Sequence, residues 1–184
     1  MVVVVGASGA GKDSLIDYAR ARRSERADIL FVRRAITRNA EAGGEDHEPV
    51  SSTEFERRRA EGGFAVHWSA HGLDYGIPDE ARAFLAHGGI AIANGSRSVL
   101  DRFAAAFPRL LVVNVVARPD ILASRLQSRG RESQVDITAR LVRSEAFAIS
   151  EQYRCITIDN SGRLPEAGEQ LLAALDRLVA AHRL

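Results

Sequence analysis

The sequence predicts an α/β domain in three layers, with helices on both faces of a central parallel sheet. Three observations carry this reading. Apolar runs of strand length alternate with segments of helical period along the chain, the pattern of strand–helix–strand units. Residues 1–5 are apolar at every position, as a strand covered on both faces must be. That run leads straight into a glycine loop and then a helix. A chain of 184 residues suits a single domain, and no repeat or low-complexity linker divides it.

Each element has its own punctuation. After the glycine loop, Leu15, Ile16 and Ala19 set a helical stripe, and residues 29–33 read as a short strand. Ser51 and Glu54 form a capping box that opens a helix stopped at Gly62-Gly63. Residues 64–68 follow as a strand, 79–87 as a helix closed by Gly88-Gly89, and 90–93 as a strand. A helix is expected over 97–107, stopped by Pro108, and residues 110–117 form the longest apolar strand. Pro119 suits the first position of a helix ending at Gly130, and a second helix is expected over about 133–149. Residues 155–158 give the last strand, with Cys155 expected inside, and a Leu- and Ala-rich helix closes the chain.

Composition narrows the function classes. Apolar residues at 46% and charged residues at 27% exclude collagen, coiled coil and disorder. One cysteine excludes a disulfide framework or zinc knuckle and suits a reducing cytoplasm. No apolar run is long enough to span a membrane, and the apolar start has neither the basic leader nor the cleavage site of a signal peptide. The net charge of +1 gives no reason to propose nucleic acid or an anionic membrane as partner. Arginine supplies every basic side chain but one, and the exception is Lys12.

Lys12 lies where a compact ammonium has a use. Gly6-Ala7-Ser8-Gly9-Ala10-Gly11-Lys12-Asp13-Ser14, between a strand and a helix, has P-loop spacing. Its glycines let backbone N–H groups turn inward on a phosphate, the helix N-terminus adds positive potential, and Lys12 reaches the outer phosphates. The Ser or Thr that should follow the lysine and bind Mg²⁺ is Asp13, with Ser14 one place late. Asp13 is therefore expected either to ligate magnesium or to serve as a helix cap. A regulatory GTPase is excluded, because its Asn-Lys-x-Asp motif needs a second lysine. A small-substrate kinase remains, and it needs a lid that brings arginines over the phosphates. Arg125 and Arg129 are four apart and share a helix face; with Arg118, Arg131 and Arg140 they flank Gly130, as a lid or as a solvated arginine face.

Several further segments carry a resemblance. They are Ile36-Thr37-Arg38, Gly44-Glu45, residues 51–55, Gly63-Phe64, residues 72–78, and Arg125-Leu126-x-x-Arg129-Gly130 through Arg140-Leu141. With the P-loop, they resemble the guanylate kinase family over nearly the whole chain. The resemblance implies a three-layer P-loop kinase fold with a core (1–33 and 79–184), an acceptor-binding segment (about 34–78) and a lid (about 119–141). It gives Arg38 and Tyr75 to the acceptor's phosphate, and Lys12, Arg125, Arg129 and Arg140 to phosphoryl transfer from ATP.

The departures from that family fall on the positions that read the base. Val66 stands where the guanine-binding Glu belongs, Ile77 replaces the Ser/Thr after Tyr-Gly, and Arg34 replaces a serine facing the base. Glu41 replaces the arginine before Gly-Glu, and His47 stands for a phosphate-binding tyrosine. Asn94 ends a strand where the family has an acid, a loss that Asp13 offsets. A guanine site stripped of its polar partners loses the base.

Gly11–Ser14, Gly43–His47, His67–Pro78 and Asn94–Arg97 resemble one branch in particular, the ribose 1,5-bisphosphate phosphokinases of phosphonate breakdown. That implies a small phosphorylated sugar as acceptor, ATP as donor and Mg²⁺ as cofactor. Arg34, Glu45, His47, His67, His71 and Asn94 join Arg38 and Tyr75 around the acceptor, the histidines either as ligands to hydroxyls and phosphate or as ordinary core and surface residues. Two other functions compete. One is a guanylate kinase with an altered base pocket; the other is a non-catalytic guanylate-kinase-like interaction domain, which the retained Lys12, Arg125, Arg129 and Arg140 oppose.

Overall fold

The computed structural model describes residues 1–39, 45–128 and 149–182. Five strands form the central sheet: β1 (Val2–Gly6), β2 (Ile29–Phe31), β7 (Ile90–Asn94), β8 (Leu111–Val116) and β9 (Cys155–Asp159). They are parallel throughout, in the order β2-β7-β1-β8-β9. The apolar first run lies at the middle, where both faces must be covered. Val2 and Val4 point to one side and Val3 and Val5 to the other, and all four are fully buried.

On the first face, Leu15, Ile16 and Ala19 of α1 (Lys12–Arg23) pack with Leu171, Leu172 and Leu175 of α6 (Leu164–His182). On the second lie Ala81 of α3 (Glu80–Ala86) and Leu100 and Phe103 of α4 (Leu100–Ala106). The expected three layers are present. The helix expected over 97–107 opens with a 3-10 turn, Arg97–Val99, capped by the Ser96 hydroxyl on the amide of Ser98 at 3.4 Å.

A second, four-stranded sheet was not legible as such. It consists of β3 (Ala35–Ile36), β4 (Glu48–Pro49), β5 (Phe64–Ala70) and β6 (Leu73–Pro78), in the order β4-β3-β6-β5. On one face Phe64 stacks on Phe55 of α2 (Ser52–Ala60), with centroids 4.6 Å apart. The expected cap of α2 is formed, the Ser51 hydroxyl accepting from the Glu54 amide at 3.1 Å. On the other face Val66, Trp68 and Ile77 join the core around Val3, Val5 and Phe103, so the two sheets share one hydrophobic cluster.

Two expectations need correction or fall outside view. Cys155 is exposed, because it begins the edge strand β9 rather than a covered one. The helix of the expected lid, α5 (Pro119–Ser128), is described, whereas Arg129, Gly130, Arg131, Arg140 and the helix expected over 133–149 lie outside the described residues. No helix among the described residues is long and apolar enough to cross a membrane.

Phe103 joins the two sheets, with its ring 6.0 Å from Trp68 and 6.3 Å from Phe107 and no exposed surface. Phe103→Ala should cost about 3–5 kcal/mol of unfolding free energy in urea titration. Cys155→Ser, at an exposed position, should stay within about 0.5 kcal/mol of the parent.

Candidate active site

Register places the site. Val4 pairs with Asn94 on one side, while Gly6 pairs with Val115 on the other, so the loop leaving β1 emerges between the ends of β7 and β8. Gly11 caps α1 with φ 88°, a left-handed conformation that suits glycine, and an added Cβ would strike the Asn160 amide. Lys12 turns back on the loop, donating from Nζ to the carbonyls of Gly6 and Ala7, both at 3.1 Å. Ser8 and Ser14 face solvent.

Arg125 and Asn160 brace the loop from outside. Arg125 Nη2 donates to the Asn160 carbonyl at 2.9 Å, with longer contacts from Nη1 to the carbonyls of Gly9 and Ala10 at 3.4 and 3.5 Å. Asn160, 2% exposed, donates from Nδ2 to the Ala10 carbonyl at 2.8 Å, and its buried Oδ1 has no hydrogen-bond partner. Sequence reading passed over Asn160. Its one signal was the Asp159-Asn160-Ser161-Gly162 turn after the last strand, which sits too late in the chain for a GTPase motif.

Opposite the loop, a polar chain runs into the second sheet. Asn94 donates from Nδ2 to Asp13 Oδ1 at 2.5 Å and to Glu45 Oε2 at 2.7 Å. The same Glu45 carboxylate receives Arg34 twice, from Nε at 2.7 Å and Nη2 at 2.5 Å. The Arg34 guanidinium carbon stands 5.4 Å from the ring centroid of Trp68 and 4.9 Å from that of Tyr75. The structure brings Asp13, Asn94, Glu45, Arg34 and Tyr75 together, with Arg34 engaged by protein rather than held open.

The remaining acceptor candidates divide. Arg38 lies beside them, and its Nε is buried without a partner, a donor with capacity to spare. His47 is 5% exposed and turned into its own loop, with Nδ1 3.0 Å from the Glu45 carbonyl and Nε2 3.2 Å from that of Arg38. Nδ1 is also 3.3 Å from Arg38 Nη2, so His47 props Arg38.

His67 alternates to the face opposite Trp68, in the field of Glu56 and Arg59 of α2, and burial lowers its pKa below the usual 6.5. His71 is not brought to the site. It and Gly72 form the tip of the β5–β6 hairpin, with φ of 53° and 74°, as a two-residue turn of that hand requires.

Burial pulls the Lys12 ammonium down from 10.5 to about 8, with Arg34 and Arg97 lowering it further and Asp13 and Glu45 opposing. Burial also raises Asp17, with Asp13, Asp46 and Glu45 adding to the effect. Among the described residues no group of three His, Cys or carboxylate side chains is arranged to hold a metal ion alone. Magnesium needs only one or two carboxylates when phosphates complete its shell, and Asp13, in the first turn of α1 beside Lys12, fits that use.

Comparison with known proteins agrees with this geometry. The ribose 1,5-bisphosphate phosphokinase PhnN of Agrobacterium fabrum is 52% identical over 177 residues, covering 96% of both chains. That of Rhizobium etli is 53% identical over 180 residues, 98% of this chain and 91% of the relative. This chain belongs to the ribose 1,5-bisphosphate phosphokinase family. A more distant member, from Burkholderia mallei, is 43% identical over 178 residues, 97% of this chain and 96% of the relative. No protein-family model matches. Among solved structures, the guanylate kinase of Anaplasma phagocytophilum superposes with a TM-score of 0.66 at 18% identity. It covers 96% of this chain and 84% of that one, which establishes the guanylate-kinase-like fold.

In this phosphokinase the lysine sets a pH limit. A folded-state pKa near 8 against 10.5 means that the unfolded chain holds more protons between those values, so Lys12 makes unliganded stability rise with pH across that window. Phosphate binding needs the charged form. Affinity for inorganic triphosphate, measured by calorimetry, should therefore fall as pH rises past about 8, and Lys12→Met should remove that dependence.

Proposed function

We propose that the chain transfers the γ-phosphoryl group of ATP to the 1-phosphate of ribose 1,5-bisphosphate, yielding 5-phosphoribosyl 1-diphosphate and ADP. The observation that carries this reading is the pairing of a P-loop lysine with the facing polar chain of Asn94, Glu45 and Arg34, while Val66 and Ile77 are packed in the core at 3% and 0% exposed and offer no polar group to a base. The family's named substrate is a sugar bisphosphate, which needs no base pocket.

The roles follow from charge and position. Residues 6–14 cradle the donor phosphates, with Gly6, Ala7, Ser8, Gly9, Ala10 and Gly11 presenting backbone amides. Lys12 leaves the carbonyls of Gly6 and Ala7 for the outer phosphates and neutralises charge as the phosphoryl group moves. Residues 34–78 form the acceptor-binding segment, where the buried, unpartnered Nε of Arg38 and the hydroxyl of Tyr75 donate to the acceptor phosphate. His47 holds Arg38 in place.

Residues 119–141 act as the lid, and Arg125, Arg129 and Arg140 are assigned to phosphoryl transfer, the last two lying outside the described residues. The attacking oxygen is a phosphate oxygen ionised at neutral pH. No general base is required, and none of the three histidines is assigned one. Catalysis is alignment and charge neutralisation. Asp13 would hold magnesium, which would supply neutralisation of charge at the donor phosphates.

Two measurements test this. Purified protein with ATP and Mg²⁺ should convert ribose 1,5-bisphosphate far faster than GMP, and faster turnover of GMP would overturn the acceptor assignment. Asp13→Ala and Asp13→Asn should both raise the Mg²⁺ concentration for half-maximal rate. Asp13→Asn keeps an oxygen to accept from Asn94 and should melt with the parent. If its magnesium titration matches the parent's, Asp13 is only part of the helix start, worth about 1 kcal/mol.

A further inference from the structure

We infer that Asn160 is a positioning residue for phosphoryl transfer: by holding the Ala10 carbonyl outward, its side-chain amide aims the Gly11 N–H into the loop, at the donor phosphates. The inference rests on the reading above for the P-loop as donor site, and is independent of which acceptor is used. The link is one of peptide geometry. The Ala10 carbonyl and the Gly11 N–H belong to one planar trans unit, so they point in opposite directions and whatever fixes one fixes the other. Asn160 Nδ2 donates to that carbonyl at 2.8 Å from outside the loop. Among the described residues nothing accepts from the Gly11 N–H, which leaves it for a phosphate oxygen.

The mount of Asn160 is rigid. It directly follows β9, its own N–H is bound to the carbonyl of Val116 at the end of β8 at 2.8 Å, and its carbonyl receives Arg125 Nη2 at 2.9 Å. A glycine peptide is the one most able to turn over, so an outside hold matters most at Gly11. The satisfied atoms are not those of a side chain kept for stability alone. Asn160 is 2% exposed and its Oδ1 has no partner among the described residues, so only the end that faces the loop is in use. Neither aspartate nor leucine could donate there. A glutamine is one methylene too long, because the Asn160 amide already lies where a Cβ on Gly11 would stand.

Asn160→Leu keeps the volume and removes the donor, while Asn160→Ala removes the donor without the bulk. Each is checked by circular dichroism and thermal melting, titrated calorimetrically with inorganic triphosphate, and assayed with ATP and ribose 1,5-bisphosphate. In both, triphosphate affinity should fall at least about tenfold, the loss of one charge-assisted hydrogen bond. The KM for ATP should rise and kcat should fall, while the KM for ribose 1,5-bisphosphate should stay within about twofold of the parent's. The Gly11 amide proton, observed by NMR through the Ala10 carbonyl carbon in Ala- and Gly-labelled protein, should move downfield when triphosphate is added to the parent, and by less in the variants.

A folded variant that binds triphosphate as the parent does would overturn the inference, as would a Gly11 amide that does not respond to triphosphate in the parent. So would equal rises in KM for donor and acceptor, the mark of a general loosening, or loss of the fold in both variants, which would make Asn160 structural. A parent that binds triphosphate but makes no product from ribose 1,5-bisphosphate would instead sink the acceptor assignment, a separate failure that leaves the triphosphate titrations to decide on Asn160.

Discussion

One amide nitrogen joins the two halves of this site. Asn94 Nδ2 gives one hydrogen to Asp13 and one to Glu45, so the helix that follows the P-loop and the second sheet meet on a single side chain. Both carboxylates need compensation in so buried a place, and each receives it in a different way. Glu45 has the Arg34 guanidinium, which in turn has the aromatic faces. Asp13 has the neighbouring Lys12 ammonium and a position in the first turn of α1, where the helix dipole favours negative charge. A buried pair of this kind is weak evidence for stability, yet breaking it from one side costs about 3–5 kcal/mol because the other charge is stranded. The arrangement therefore fixes geometry more than it raises stability.

The distance between donor and acceptor sites follows from that bond. Asn94 is held by register beside Val4, at the end of the central strand pair, and cannot drift without disturbing the core sheet. Glu45 is tied to Asn94, and His47, two residues on, is tied to the Arg38 carbonyl through Nε2. The P-loop is braced from its far side by Asn160 and Arg125. A reaction that depends on alignment alone gains from each of these ties, since an ångström of error in approach is paid in rate.

Much of this was legible in the sequence, for identifiable reasons. Nearly unbroken apolar runs, such as 1–5 and 110–117 with Asn114 as its one polar residue, announce themselves, as does a glycine loop with one lysine. The capping serine of α2 was readable because its spacing to Glu54 is fixed by helix geometry. Strands β3 and β4 have two residues each, too few for any period, and exist because β6 supplies a partner for β3 and β3 one for β4. Cys155 was misjudged because strand position, which decides exposure, is a property of the sheet and not of the residue. The sequence leaves the histidines open between ligands and ordinary residues; in the fold, alternation sends His67 to the α2 face, the turn takes His71, and the loop main chain takes His47.

The bias toward arginine can now be given a physical reading at three positions. Arg34 uses a planar fork and a π face together, which no ammonium offers. Arg125 spreads over several carbonyls of the loop and of Asn160, which a single point charge would reach less well. Lys12 has the opposite requirement. Its ammonium sits inside the glycine loop against two carbonyls, where burial lowers its pKa to about 8. A guanidinium is too broad for that enclosure and never surrenders its proton, so it would carry the full cost of desolvation whenever the loop stood empty. In the proposed reaction phosphate replaces those carbonyls, and that exchange of neutral oxygens for charged ones gives a compact ammonium its use at this position.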